Sequence, residues 1–365
     1  MPSTIETPEV PTKNGPLFPD YLPHYDPLEK VEMVGPFEFS DPGLRADPAK
    51  PNLLSHATKI SDLSPHVGTE LLGVQLTDLS SAALDELALL AAERCCVVFR
   101  NQDAFLKSGF EAQKKIAGHF GPLHVHGWMP HPKNGPAEFV VVYDSSEDLR
   151  IRKGWARKNP IQFHVDQSPE AQPPGMTFFA MLESPSGVGG DTVISSTVRA
   201  FQKLSPKFRG RLEGLMAVHT TQAALSREIR DNGDKSVVRR PVTRSIHPVV
   251  TVHPVTGQKA LFVNSSYTQS IVGFDDDESD YLLKFLFDHI NRGHDFSCRV
   301  RYEPGTVVVW DQRVTQHSQT LDYPAGARRH AFRLTPLANV PIPSKVDEGD
   351  DGCKFEEDRE ILGLC

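Results

Sequence analysis

The sequence predicts one α+β domain built on a β-sandwich or jelly roll. Short apolar runs bounded by glycine and proline turns dominate residues 60–340. Segments with helical periodicity are fewer and lie between those runs. That span shows no fixed-period repeat and no linker. A chain of 365 residues has room for two ordinary domains, but the unbroken strand pattern favours one.

The elements follow in order. Residues 1–55 are proline-rich, and NGPLFPDYLPHYDPLEK reads as an extended arm. Its aromatics, Phe18, Tyr21 and Tyr25, suit packing on the body or on a neighbouring subunit; a loose tail is the alternative. Regular structure is expected from about residue 66. VGTELLGVQLTDLS predicts a strand and turn. SSAALDELALLAAERC predicts a helix with a serine cap. CCVVFRNQ predicts a strand, SGFEAQKKIAGHFG a second helix closed by glycine, and FVVVYDSS another strand. MTFFAMLESPSGVGGDTVISST predicts two strands joined by a glycine-rich turn. PKFRGRLEGLMAVHT reads as helix. SIHPVVTVHPVTGQKALFVNSSYT alternates like a hairpin turning at 255–258. DDDESDYLLKFLFDHINR predicts a helix whose acidic first turn suits the helix dipole. SCRVRYEPGTVVVWDQR predicts two strands around a Pro-Gly turn.

Composition excludes several classes. Lys and Arg total 39 against 47 Asp and Glu, a net charge of −8. That argues against a nucleic-acid surface and against general binding to acidic membranes. The five cysteines, Cys95, Cys96, Cys298, Cys353 and Cys365, are too scattered for a disulfide framework and fit a reducing compartment. MPSTIETPEV lacks the basic and apolar regions of a secretory signal, and no apolar run approaches the roughly 20 residues of a membrane span. The last residues, GLC, are not a peroxisomal tripeptide. A soluble cytoplasmic protein is expected.

The stretch IQFHVDQSPE, residues 161–170, carries the first chemical signal. On a strand, His164 and Asp166 point to the same face, where they can pair or hold a metal. WDQRVTQH adds His317 just after an apolar strand. Two histidines and one carboxylate leave coordination positions open, the pattern of non-haem Fe(II) oxygenases. Alone, the His-Asp pair is more often a hydrogen-bonded pair. ARRHAFR then places Arg329 and Arg333 at even spacing on one strand face, with Arg328 beside them. Arginines facing a metal cavity are costly unless anions bind there, and guanidinium forks match carboxylates and sulfonates. Surface ion pairs are the alternative. His247 and His253, in HPVVTVHP, read as strand-edge structure because no carboxylate accompanies them.

HVD at 164–166, GGDT at 189–192, WDQRVTQH at 310–317 and RRHAFR at 328–333 together resemble the taurine dioxygenase family of Fe(II)/2-oxoglutarate-dependent dioxygenases. Supporting stretches are VVFRNQ, FGPLHVHGWMP and HPVVTVHPVTGQKALFVNSSYTQSIV. The resemblance covers about residues 58–340. The N-terminal arm and acidic tail resemble additions of fungal sulfonate dioxygenases. It implies a double-stranded β-helix (jelly-roll) core with flanking helices, as a catalytic domain over 56–342 between the arm and an acidic tail over 343–365. It implies His164, Asp166 and His317 as iron ligands, with Fe(II), 2-oxoglutarate and O2 as cofactor and co-substrates. Thr192 and Arg329 match the residues that hold the far carboxylate of 2-oxoglutarate. Arg333 and His126 match those that hold the substrate anion, and Tyr267 falls at a pocket-lining aromatic. Tyr267 as plain core, Thr192 as a turn residue and His126 as a satisfied buried histidine are the bland readings of those positions.

Three positions depart from the family. Its pocket tyrosine is replaced by Met129, its serine-aromatic pair falls on Ala224 and Leu225, and a polar position reads Pro160. The amine end of a taurine site is thus lost and the sulfonate end kept. The expected activity is hydroxylation of an organosulfonate next to sulfur, giving sulfite and an aldehyde with succinate and CO2. A longer or less polar substrate than taurine is expected. The same chemistry on an alkyl sulfate ester or an aryloxyalkanoate carboxylate is the first rival; desaturation and a cupin-like metal- or anion-binding protein without turnover are the others. The partner is a small anion, with no nucleic acid or membrane. The resemblance also implies a homo-oligomer.

Overall fold

The apolar runs pair into one large sheet and several small ones. A computed structural model of the protein describes residues 15–24, 29–144, 163–185, 188–232, 238–324 and 326–345. The large sheet has seven strands: β2 (Lys59–Asp62), β3 (Thr69–Leu72), β4 (Cys96–Phe99), β15 (Val307–Asp311), β7 (Met176–Glu183), β17 (Arg329–Leu334) and β6 (Val140–Asp144), in that spatial order. β3 and β4 pair in parallel, which requires a crossover. The helix Ser81–Arg94 supplies it. Its cap is the serine expected from sequence: the Ser80 side chain accepts from Ala83 N–H.

β7 and β15 are buried along their whole length, because both faces of the large sheet are covered. On one face Phe178, Phe332 and Leu334 pack with Leu84 and Leu87 of that helix and with Phe105, Phe120 and Phe139. On the other, Val98, Phe179, Met181, Trp310 and Ala331 meet Ile194, Cys298 and Val300. The last three belong to a facing sheet of β14 (Ser297–Val300), β8 (Thr192–Ser196) and β16 (Thr315–Gln319). Side chains alternate along β17. Phe332 therefore enters one core, and Arg329, Ala331 and Arg333 share the face that looks between the two sheets.

A third sheet joins β10 (Arg244–Pro248), β9 (Met216–Thr220) and β13 (Thr268–Ile271), and a fourth joins β12 (Lys259–Leu261), β11 (Val250–Val252) and β18 (Ile342–Pro343). Leu283, Leu286 and Ile290 of the helix Asp276–Asn291 cover them. That helix opens on a reciprocal cap between Asp275 and Glu278.

Some expectations needed correction. Regular structure begins before residue 66, with the helix Pro51–Leu54 and β2. PKFRGRLEGLMAVHT is helical only over Pro206–Leu212; Gly214, at φ +94°, ends that run and 216–220 become β9. The 244–268 segment is not one hairpin. β10 pairs with β9, and only β11 and β12 pair with each other. β7 and β8, across the glycine-rich turn, enter different sheets, as do β14 and β15.

The arm lies on the body over its described residues. β1 (Pro23–His24) pairs with β5 (His131–Pro132). Tyr21 stacks on Phe332 with ring centroids 5.1 Å apart and donates to Gln113 Oε1 at 2.9 Å. Tyr25 and the acidic stretch after Lys345 lie outside the described residues. Among those residues no helix is long and apolar enough to cross a membrane.

Candidate active site

His164 and His317, 153 positions apart in sequence, are joined by backbone. Each N–H donates to the other's carbonyl at 3.0 Å, forming an isolated antiparallel bridge. The expected regular strand through His164 and Asp166 is absent: the bridge is one residue long, and Asp166 already begins a turn. The side chains converge all the same. His164 Nε2 lies 3.7 Å from Asp166 Oδ1, and His317 Nε2 lies 3.6 Å from Asp166 Oδ2. One ligand atom from each of the three falls within 4.8 Å of the others, the one such metal-type cluster among the described residues. Gln312 fixes the turn, its Oε1 accepting from Asp166 N–H at 2.7 Å.

The donor set is charged correctly for a divalent cation. Burial alone would raise the Asp166 carboxyl, but Arg333, His317 and His164 hold it down to about 2. Burial and the neighbouring His164 lower His317 to about 3. At neutral pH Asp166 is a carboxylate and His317 an imidazole with a free lone pair, the protonation state that metal binding requires.

A second group of residues lies where β8 and β17 begin. Arg329 is 1% exposed. Its Nε donates to Gly190 O at 3.0 Å, and its guanidinium lies 5.5 Å from the Phe179 ring centroid and 5.8 Å from that of Tyr302. Its Nη1 is buried and has no partner among the described residues. Burial holds its pKa below the usual guanidinium range. A buried cation with an unused donor fits a carboxylate. Thr192 Oγ1 accepts from Tyr302 Oη at 3.0 Å. The GGDT turn depends on its glycines: at Gly189, φ +101°, a Cβ would sit 2.3 Å from Asp322 O.

The third group holds the expected substrate residues. Arg333 Nη1 donates to Asp166 Oδ2 at 2.7 Å, and its Nε is buried without a partner among the described residues. His126 is buried; its Nδ1 accepts from Trp128 N–H and Met129 N–H, and its Nε2 lies 2.7 Å from the Gln167 amide. Tyr267, Trp128 and Leu225 form a buried cluster, with Met129 and Ala224 packed against it. The described departures from the family pattern thus form one apolar wall. Pro160 lies outside the described residues. Arg328 turns away from the site to Glu183 at 2.9 Å.

His253 corrects one expectation: a carboxylate does accompany it. Its Nδ1 accepts from two backbone N–H groups and its Nε2 meets Asp311 Oδ2 at 3.0 Å. It is a buried hydrogen-bonding histidine. His247 Nε2 likewise meets Glu170 O at 2.9 Å. Sequence reasoning missed Tyr302, Gln312 and Gln167. No periodicity marks them, although Gln167 and Gln312 stand inside stretches already singled out.

Comparison with known proteins agrees with this arrangement. The model of the family described as "Taurine catabolism dioxygenase TauD, TfdA family" matches residues 59–335. An alpha-ketoglutarate-dependent dioxygenase of Penicillium expansum, cnsM, is 75% identical over 352 residues, covering 96% of this chain and 98% of that protein. The alpha-ketoglutarate-dependent sulfonate dioxygenase of Saccharomyces cerevisiae is 41% identical, covering 89% of this chain and 79% of that one. A crystal structure of a putative alpha-ketoglutarate-dependent taurine dioxygenase from Burkholderia xenovorans superposes with a TM-score of 0.61 at 28% identity, covering 80% of this chain and 98% of that one. The chain belongs to the TauD/TfdA family of taurine catabolism dioxygenases and is an alpha-ketoglutarate-dependent dioxygenase.

Proposed function

We propose that this enzyme hydroxylates an organosulfonate at the carbon next to sulfur, the product breaking down to sulfite and an aldehyde. The observation that carries this reading is Arg333. It reaches the carboxylate of the metal-type cluster at 2.7 Å and keeps a buried donor unused. An anion held there places its adjacent carbon beside the metal position. The sulfonate named for the 41% identical yeast relative supports the same class. In this reading the two facing sheets are the halves of a double-stranded β-helix. Its catalytic domain runs over 56–342, between the arm at 1–55 and the acidic tail at 343–365.

His164, Asp166 and His317 would hold Fe(II), and Thr192 and Arg329 the far carboxylate of 2-oxoglutarate. When bound, these supply the oxidising chemistry with O2, the 2-oxo acid leaving as succinate and CO2. The chain's own residues supply position. Arg329 neutralises the co-substrate's far end inside a water-poor layer between the sheets. Arg333 orients the substrate's head, with His126 acting on that position through the Gln167 amide, so that geometry chooses the C–H bond. Trp128, Met129, Ala224, Leu225 and Tyr267 cover an apolar tail. That wall favours an alkyl chain over taurine's amine, and it accommodates an alkyl sulfate ester equally.

The test is succinate and sulfite formation by anaerobically iron-loaded protein given 2-oxoglutarate, then oxygen, with taurine, alkylsulfonates of rising length, alkyl sulfates and aryloxyacetates. Matched succinate and sulfite from an alkylsulfonate, above that from taurine, is expected. Succinate without sulfite from every sulfonate overturns the reading.

A further inference from the structure

Gln167 follows Asp166 directly and has an uncommon backbone. Its φ is +53°, a region that costs a side-chain-bearing residue energy and so requires support from its surroundings. Its side chain is 1% exposed. One terminal amide atom meets His126 Nε2 at 2.7 Å and Tyr267 Oη at 3.5 Å; the other is buried with no partner among the described residues.

The network fixes which amide atom is which. His126 Nδ1 accepts two backbone N–H bonds, so it carries the lone pair. The proton of the neutral ring is therefore on Nε2. Nε2–H needs an acceptor, and so does the Tyr267 hydroxyl when it donates. The amide atom facing both is the oxygen, since a half-turn of the amide exchanges its two ends. The unpartnered end is then the NH2 group, a buried donor without an acceptor. Arg333 Nε is a second such donor. Arg333 contacts Asp166, the residue directly before Gln167, at 2.7 Å, so the two donors belong to one neighbourhood.

We propose that Gln167 is a specificity-determining residue whose amide NH2 binds a third oxygen of the substrate's tetrahedral head group. His126 and Tyr267 are its positioning residues. A guanidinium fork satisfies two oxygens. A planar carboxylate has only those two to offer, whereas a sulfonate or sulfate ester has a third. A buried donor left unpaired penalises the carboxylate. This rests on Arg333 as the anion-binding residue and narrows the anion to one with three terminal oxygens.

The experiment is calorimetric titration of the full chain, loaded anaerobically with Fe(II) and 2-oxoglutarate, with hexanesulfonate and with heptanoate, for wild type, Gln167→Met and Gln167→Leu. Wild type is expected to prefer the sulfonate. Either variant should lose about tenfold in sulfonate affinity, the worth of one hydrogen bond to a charged group. Heptanoate affinity should change less than about twofold, and 2-oxoglutarate affinity should stay put, which shows the site intact. If one variant fails to fold, the other carries the comparison. Equal loss for both anions, or no loss, overturns the role of Gln167 while leaving a sulfonate enzyme standing. Binding of neither hexanesulfonate nor hexyl sulfate by wild type overturns the anion reading itself, and this inference with it.

Discussion

Arg333 Nη1 donates to Asp166 Oδ2 at 2.7 Å, so the arginine of β17 and the carboxylate of the metal-type cluster are in direct contact. Asp166 is buried and Arg333 half-buried, and the arginine is the strongest charge holding that carboxyl down. Arg333→Ala is therefore expected to act twice. It should abolish sulfonate-dependent succinate formation, with binding weakened by about 2–5 kcal/mol. It should also raise the Asp166 pKa, so that Fe(II) affinity begins to fall at a higher pH than in wild type. Metal titrations between about pH 3 and 7 check this; an unchanged metal profile would contradict the second effect.

Arg329 and Gly190 make a second prediction. A Cβ at Gly190 would lie 3.2 Å from Arg329 Cδ, and the glycine sits at φ +72°. Gly190→Ala should displace the guanidinium and weaken 2-oxoglutarate binding by about tenfold or more. Arg329→Leu should weaken it further. Equilibrium dialysis with the labelled co-substrate reads both, and wild-type affinity in either variant would remove Arg329 from the clamp.

Asp311 links the site to stability. Its carboxylate accepts from His253 and Arg313, and Arg313 also pairs with Asp41. Burial would raise its pKa, yet Arg313 and His253 hold it well below the carboxylate range. A carboxyl depressed in the folded state contributes stability above its unfolded pKa near ~3.9, and that contribution fades as pH falls toward the folded value. Asp311→Asn should cost about 3 kcal/mol at pH 7. The gap from wild type should narrow below about pH 4. Urea denaturation across pH measures it.

Tyr21 tests the arm. Its ring is buried against Phe332, on the face of β17 opposite Arg329 and Arg333. Tyr21→Ala should destabilise by about 3–5 kcal/mol. Tyr21→Phe removes only the bond to Gln113 and should cost about 1 kcal/mol. Thermal melts of the two variants separate packing from hydrogen bonding; a Tyr21→Ala melt equal to wild type would mean that the arm is not docked in solution.

The sequence by itself determined the alternation that makes strands, the serine cap and the acidic first turn, and the residue types of the candidate site. His164, Asp166, His317, Arg329 and Arg333 are legible because metal and anion chemistry demands particular side chains at characteristic spacing. Even spacing along one strand already placed Arg329 and Arg333 on a common face. Only the tertiary structure decided which strands pair. β7 and β8, or β14 and β15, look like hairpins in sequence, yet enter opposite sheets because burial is won by packing across the layers. It also decided the companions. Tyr302 on Thr192, Gln312 on Asp166 and Asp311 on His253 are long-range contacts with no local periodicity. Gln167 shows the limit most clearly. It stands beside a residue that sequence singled out, but its meaning depends on which atom of His126 carries the proton, and two backbone N–H groups at Trp128 and Met129 settle that.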